Sequence, residues 1–180
     1  MKATGIVRRI DDLGRVVIPK EIRRTMRIRE GDPLEIFTDH EGEVIFKKYS
    51  PIGEIGSFSW QYAESMHKVG GFPVVISDRD HVIAAAGLSK REVQERRISQ
   101  ALEDLMEERN SYILESPSSA PLYPVEGIDK KALVSVPIIS SGDVCGAVSM
   151  LAGENPSLAK DSQIKMAETA AAFLGKQLES

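Results

Sequence analysis

The stretch RRIDDLGRVVIPKEIRR, Arg8 to Arg24, decides how the N-terminal part of this chain is read. Five arginines and Lys20 surround a short apolar core, Val16-Val17-Ile18, although the formal net charge of the whole chain is −4. Residues 1–29 hold nine basic side chains, Lys2 among them, against three acidic ones. The remainder therefore carries a net charge of about −10. Such an asymmetry points to a local polyanion-binding surface on an acidic body.

Working outward, ATGIVRRI (residues 3–10) reads as a first strand and RVVIP (15–19) as a second, with DDLG (11–14) as the turn between them. Pro19 suits the first position of a short helix over Lys20–Arg27. LEIFTD (34–39) and EVIFKK (43–48) are β-rich runs whose connection contains Gly42. The order expected for the first fifty residues is thus β-β-α-β-β. Ile36-Phe37 and Val44-Ile45-Phe46 are apolar on both strand faces, which implies burial on both sides. Fifty residues with one two-turn helix cannot supply that cover, so an intertwined dimer is expected.

On a helical wheel with Ile22 at zero, Ile18, Met26 and Thr25 fall within about 60° and form one apolar face. Arg23, Arg27, Lys20 and Arg24 fall between about 100° and 200°, an arc without an acid, since Glu21 lies outside it. Solvated helix faces usually mix signs, so this arc favours nucleic acid over a plain solvent-facing surface. Arginine's planar fork grips phosphates bidentately and reads guanine edges, and a dimer doubles the set.

Residues 51–55, within YSPIGEIG, are expected to link this domain (1–50) to a second one (56–180). Ile55, Phe58, Tyr62, Met66 and Val69 recur at helical spacing. The strands FPVVISD and HVIAAAG follow, then the charged helical stretch SKREVQERRISQALEDLMEERNS (89–111). ALVSVPII and DVCGAVSML form an apolar hairpin across SSG, and a final helix carries Ile164, Ala167, Ala171, Leu174 and Leu178 as a coiled-coil-like stripe. The second part thus reads as α-β-β-α-β-β-α. Pairing of its first and last helices with those of another subunit would join two dimers into a tetramer.

Several function classes lose support. No run approaches the ~18 apolar residues of a membrane helix, and the N-terminus lacks a signal-peptide core. A cytoplasmic protein with no membrane partner is the expectation. The single Cys145 rules out an internal disulfide framework and sits in an apolar strand as a packed core residue. His40, His67 and His81 are scattered without metal-ligand spacing and read as surface residues. The acid-rich run Glu103–Asn110 reads as a solvated helix face rather than paired catalytic carboxylates. Neither an enzyme nor a bound cofactor is expected.

TGIVRRIDDLGRVVIPKEIRRTMRIREGDPLEIF (4–37), and above all GRVVIPKEIR (14–23), resembles the AbrB family of swapped-hairpin DNA-binding domains. The resemblance implies an α+β protein whose N-terminal domain is an interleaved β-barrel homodimer docking on double-stranded DNA. Arg8, Arg15, Arg23 and Arg24 match that family's DNA-contacting positions; Arg9, Lys20 and Arg27 complete the basic set. VISDRDHVIAAAG (75–87), SVPIISSGDVCGAVSML (135–151) and the terminal helix resemble a GAF-like domain, a fold that binds small molecules or pairs through its helices. This two-domain layout resembles transcription regulators of endospore-forming bacteria, which implies a nucleoid-associated protein acting on sporulation genes, with an unidentified small-molecule effector. A branch of the same N-terminal fold serves as toxin-binding antitoxins, the alternative reading. Those carry short disordered tails, whereas this chain continues into a folded domain.

Overall fold

A computed structural model of the chain describes residues 5–93, 96–153 and 157–179. Lys2, residues Ala3 and Thr4 of the first expected strand, and Gln94 and Glu95 of the expected charged helix lie outside these. The chain divides into two compact units, Met1–Tyr49 and Ser50–Ser180.

In the first unit the only regular elements among the described residues are helix α1 (Lys20–Thr25) and the hairpin β1 (Leu34–Thr38) and β2 (Val44–Lys48). Ile36 opposes Phe46 across the hairpin. Its turn is closed by Asp39, whose Oδ1 accepts the backbone N–H groups of Glu41 and Glu43, with Gly42 at φ +85°. Among the described residues, the strands expected within 3–10 and 15–19 are not formed as strands, and no barrel closes. A strand needs a ladder partner for its N–H and C=O groups, and no strand pairing is formed by the described residues of these segments. Most of their apolar side chains stay in solvent: Val7 is 84% exposed, Val17 70% and Ile10 70%. Ile36, Val44 and Phe46 are exposed as well, so one protomer by itself does not supply the cover expected on both faces of these strands.

The second unit is built on a five-stranded antiparallel sheet. Its strands are β3 (Val74–Ser77), β4 (Val82–Ala86), β5 (Tyr112–Ile113), β6 (Ala132–Ser140) and β7 (Asp143–Leu151), in the order β4-β3-β7-β6-β5. Strand alternation divides its core in two. Val74, Ile76, Val134, Ile138, Val148 and Met150 pack on one face, beneath α3 (Gly56–Gly70) and α6 (Asp161–Gln177). Val75, Val82, Ala147 and Leu151 pack on the other with Leu102 and Met106 of α5 (Gln100–Glu107). The β6–β7 turn places Ser141 and Gly142 both at positive φ, the two-residue geometry that matches strand twist.

Four expectations are corrected. Residues 51–55 are not an extended linker: Pro51–Glu54 form helix α2, capped by the Ser50 hydroxyl, and Ile52 is fully buried in the second unit's core. The charged stretch 89–111 is not one helix. It forms α4 (Lys90–Val93) and α5, because Ile98 dives into the core and bridges Val125, after which Ser99 caps a new start by accepting the Leu102 N–H. Glu103 on α5 is buried rather than solvated. On α3 the buried side is Ser59, Ala63 and Met66, while Val69 is exposed. Small residues allow α3 to lie close to the sheet, so the expected stripe is only partly the core-facing one. Phe58 and Tyr62 from that stripe instead meet Phe173 of α6, with ring centroids 5.9 and 5.6 Å from its own. Phe173 remains 40% exposed.

Candidate nucleic-acid interface

The cationic residues are set out by a turn and a short helix that follow each other in sequence. Asp11 organises the turn. Its backbone N–H donates to the Arg15 carbonyl, Gly14 N–H returns to the Asp11 carbonyl, and Gly14 adopts φ +74°. The Asp11 carboxylate accepts the N–H groups of Leu13 and Arg15 on Oδ1 and the Arg15 Nε–H on Oδ2 at 2.8 Å. These bonds, the Arg15 backbone N–H first and its side chain second, hold the Asp11 carboxyl below its ordinary value. The stabilisation is present above the ordinary carboxylate range and is lost as pH falls through the lowered value. An acid titration of the turn is therefore expected to release Arg15 only below the ordinary carboxylate range.

Helix α1 begins after Pro19, whose fixed φ pre-sets the chain and whose carbonyl accepts the Arg23 N–H. Lys20, Arg23 and Arg24 are all exposed, as are Arg8, Arg9 and Arg15. Arg23 and Arg24 occupy the last turn, where cations complement the helix dipole. Lys20 and Arg24 line a shallow recess together with Glu21, an acid the wheel placed outside the cationic arc.

Arg27 is not on that helix, contrary to the expected Lys20–Arg27 span. Ile28 N–H donates to the Arg23 carbonyl at 2.7 Å and Arg27 N–H to that of Arg24 at 3.3 Å, with Arg27 at φ +52°. This is a Schellman termination with arginine in the left-handed position usually held by glycine. An L-side chain there costs about 1 kcal/mol. Arg27→Gly is accordingly expected to raise stability by about that amount in chemical denaturation. If the arginine serves DNA binding, the same change weakens it.

The structure brings Arg15, Lys20, Arg23 and Arg24 out on consecutive exposed elements and leaves Arg27 half-buried at the helix end. The residue missed from sequence is Asp11. The signal was present in DDLGR: an Asp followed three positions on by glycine and four on by arginine is an Asx-type turn with an ion-pair partner in reach. In the second unit, burial raises the Cys145 thiol above its ordinary value, consistent with a packed side chain. His67 and His81 are half-buried rather than on the surface, and His67 Nδ1 is 2.8 Å from the Phe72 carbonyl, to which it donates. Among the described residues, no group of His, Cys, Asp or Glu could hold a metal, and no helix is long and apolar enough to cross a membrane.

Comparison with known proteins agrees with this division. Residues 54–179 match the family described as stage V sporulation protein T C-terminal, transcription factor. Residues 7–54 match antidote-toxin recognition MazE, bacterial antitoxin. Transition state regulatory protein AbrB of Bacillus subtilis is 63% identical over 51 residues, 28% of this chain and 52% of that protein. The second unit resembles the GAF domain of an Acinetobacter phosphoenolpyruvate-protein phosphotransferase (TM-score 0.57, 15% identity, 71% of this chain and 87% of that one), a likeness of fold alone. Stage V sporulation protein T of Bacillus subtilis is 51% identical over 99% of both chains. With an AbrB-type basic unit ahead of a GAF-like one, and that identity running from end to end, the chain belongs to the stage V sporulation protein T family of transcription factors.

Proposed function

We propose that the chain is a DNA-binding regulator of sporulation genes that grips the duplex through Arg8, Arg9, Arg15, Lys20, Arg23, Arg24 and Arg27 of a paired N-terminal unit. The observation that carries this reading is the cluster of exposed cations on the 11–15 turn and helix α1 of an otherwise acidic chain. Phosphate neutralisation by such a set releases counterions, so affinity must fall steeply with salt. Titration of a mixed-sequence duplex across a salt series tests it, and a shallow slope would sink it.

Pairing is supported by what one protomer leaves uncovered. Val7, Ile10 and Val17 lie in segments with β-forming sequence and Leu13 in the turn between them, and each is at least 69% exposed. A second copy laid along residues 5–10 and 15–18 would cover these side chains and give the segments strand neighbours. For the GAF-like unit, the Phe58–Tyr62–Phe173 face on α3 and α6 supports association of two such dimers into a tetramer. Phe173→Glu is expected to convert a tetramer to a dimer in sedimentation, leaving the unfolding of the unit nearly unchanged. An unaltered sedimentation profile would refute that face.

An effector bound by the GAF-like unit would alter DNA affinity only as far as it prefers one arrangement of the assembly over another. We place the protein in the cytoplasm, on the nucleoid. The antitoxin reading is less well supported, because the MazE-type match stops at residue 54 and the remainder matches a transcription-factor family.

A further inference from the structure

We propose that Asp11 is a selectivity residue for DNA: by holding Arg15 at Nε it presents that guanidinium's two amino groups in one orientation, while its charge penalises loosely held phosphate. The inference rests on reading Arg15 as a DNA contact.

The 11–15 loop does not need the side-chain pair to close. Two backbone hydrogen bonds between Asp11 and residues 14 and 15 shut it, and Oδ1 already braces the N–H groups of Leu13 and Arg15. The second oxygen, Oδ2, is spent on Arg15 Nε at 2.8 Å. The pair is open to solvent, with the arginine side chain 69% exposed, and exposed pairs contribute little to stability. Its cost to binding is plain, because a carboxylate beside a phosphate-seeking arginine lowers the local positive potential.

What the pair does supply is direction. A guanidinium has five N–H donors in a rigid plane, and an acceptor on Nε uses one while fixing that plane relative to the loop. The amino groups then offer the planar fork that bidentate contacts to guanine or phosphate require. A freely rotating arginine would bind any phosphate nearly as well as the correct one. The acid therefore converts undirected attraction into discrimination, and no basic residue can do that.

Asp11→Asn isolates the effect. Asparagine Oδ1 still accepts both backbone N–H groups, whereas its amide nitrogen cannot accept from Arg15 Nε. The full chain and its Asp11→Asn, Arg15→Ala and double variants are titrated by fluorescence anisotropy at fixed salt. The probes are a duplex selected by the wild-type chain from a random pool and a mixed-sequence duplex. Asp11→Asn is expected to bind the mixed duplex more tightly while the ratio of the two affinities falls about three- to tenfold. In the Arg15→Ala background the same substitution should leave the ratio unchanged. An Asp11→Asn ratio equal to wild type overturns the proposal, whether or not both affinities shift together, because a purely structural brace would move them equally. Arg15→Ala binding both duplexes like wild type would instead remove the DNA contact itself, and the proposal with it. Circular dichroism of each variant identifies any loss of fold.

Discussion

Replacing Arg23 and Arg24 together by alanine is expected to weaken duplex binding on the order of a hundredfold at moderate salt. In a paired unit the double change removes four positive charges. Each phosphate contact contributes about 0.9 to the slope of log affinity against log salt, so the slope should flatten by about 3 to 4. The fold has little reason to respond. Both side chains are exposed, and the contacts that end α1 use the backbone carbonyls of these residues rather than their guanidinium groups. Alanine is at least as good a helix former, and only a few tenths of a kcal/mol of dipole interaction is lost. Affinity and slope equal to wild type would refute the assignment of these arginines.

Gly175→Ala should be among the most damaging single-residue changes in the second unit. Gly175 faces the sheet from α6, and a Cβ there would overlap the Ile139 carbonyl oxygen and lie 3.1 Å from its carbon. The obstacle is backbone of β6, so relief needs the helix to lift from the sheet rather than a rotamer to change. Alanine gains about 1 kcal/mol of helix propensity, far short of the cost of prising apart a packed layer. A net loss of about 3–5 kcal/mol is expected, a fall of roughly 10–20 °C in melting temperature. Gly146→Ala, whose Cβ would strike the Ser77 carbonyl, should behave alike. Gly153→Ala is the control, since no atom lies within 4 Å of its Cβ and it has no positive φ. A Gly175→Ala melting point within a degree or two of wild type would mean that α6 does not pack on β6 as described.

The two-unit plan was legible because its signals are local. Pro19 opens α1, Gly42 turns the β1–β2 hairpin, and Ser141-Gly142 turns β6 into β7. The errors arose where tertiary contacts overrule local pattern. Nothing local in SKREVQERRISQALEDLM says that Ile98 must leave the helix to fill a cavity under the sheet, although Ser99 was a readable cap. The apolar spacing of α3 was real, yet the sheet selected Ser59 and Ala63, because closeness there matters more than hydrophobicity. At the interface, charge showed where the cations are but not how they are aimed. The aiming of Arg15 depends on Asp11, an acid inside a basic stretch, and a search for positive charge passes over it.

The uncovered apolar side chains of the N-terminal unit carry a consequence for measurement. Under the proposed pairing, the stability of residues 1–49 has no fixed value; it depends on how much protein is present. Dilution should lower the melting temperature of this unit, whereas the internal core of the GAF-like unit should hold its own transition more nearly constant. The copy number of the chain then becomes a control variable. Below a threshold concentration the recognition surface ceases to exist as a folded object, and occupancy of a site on DNA would rise with the square of protomer concentration rather than in proportion to it.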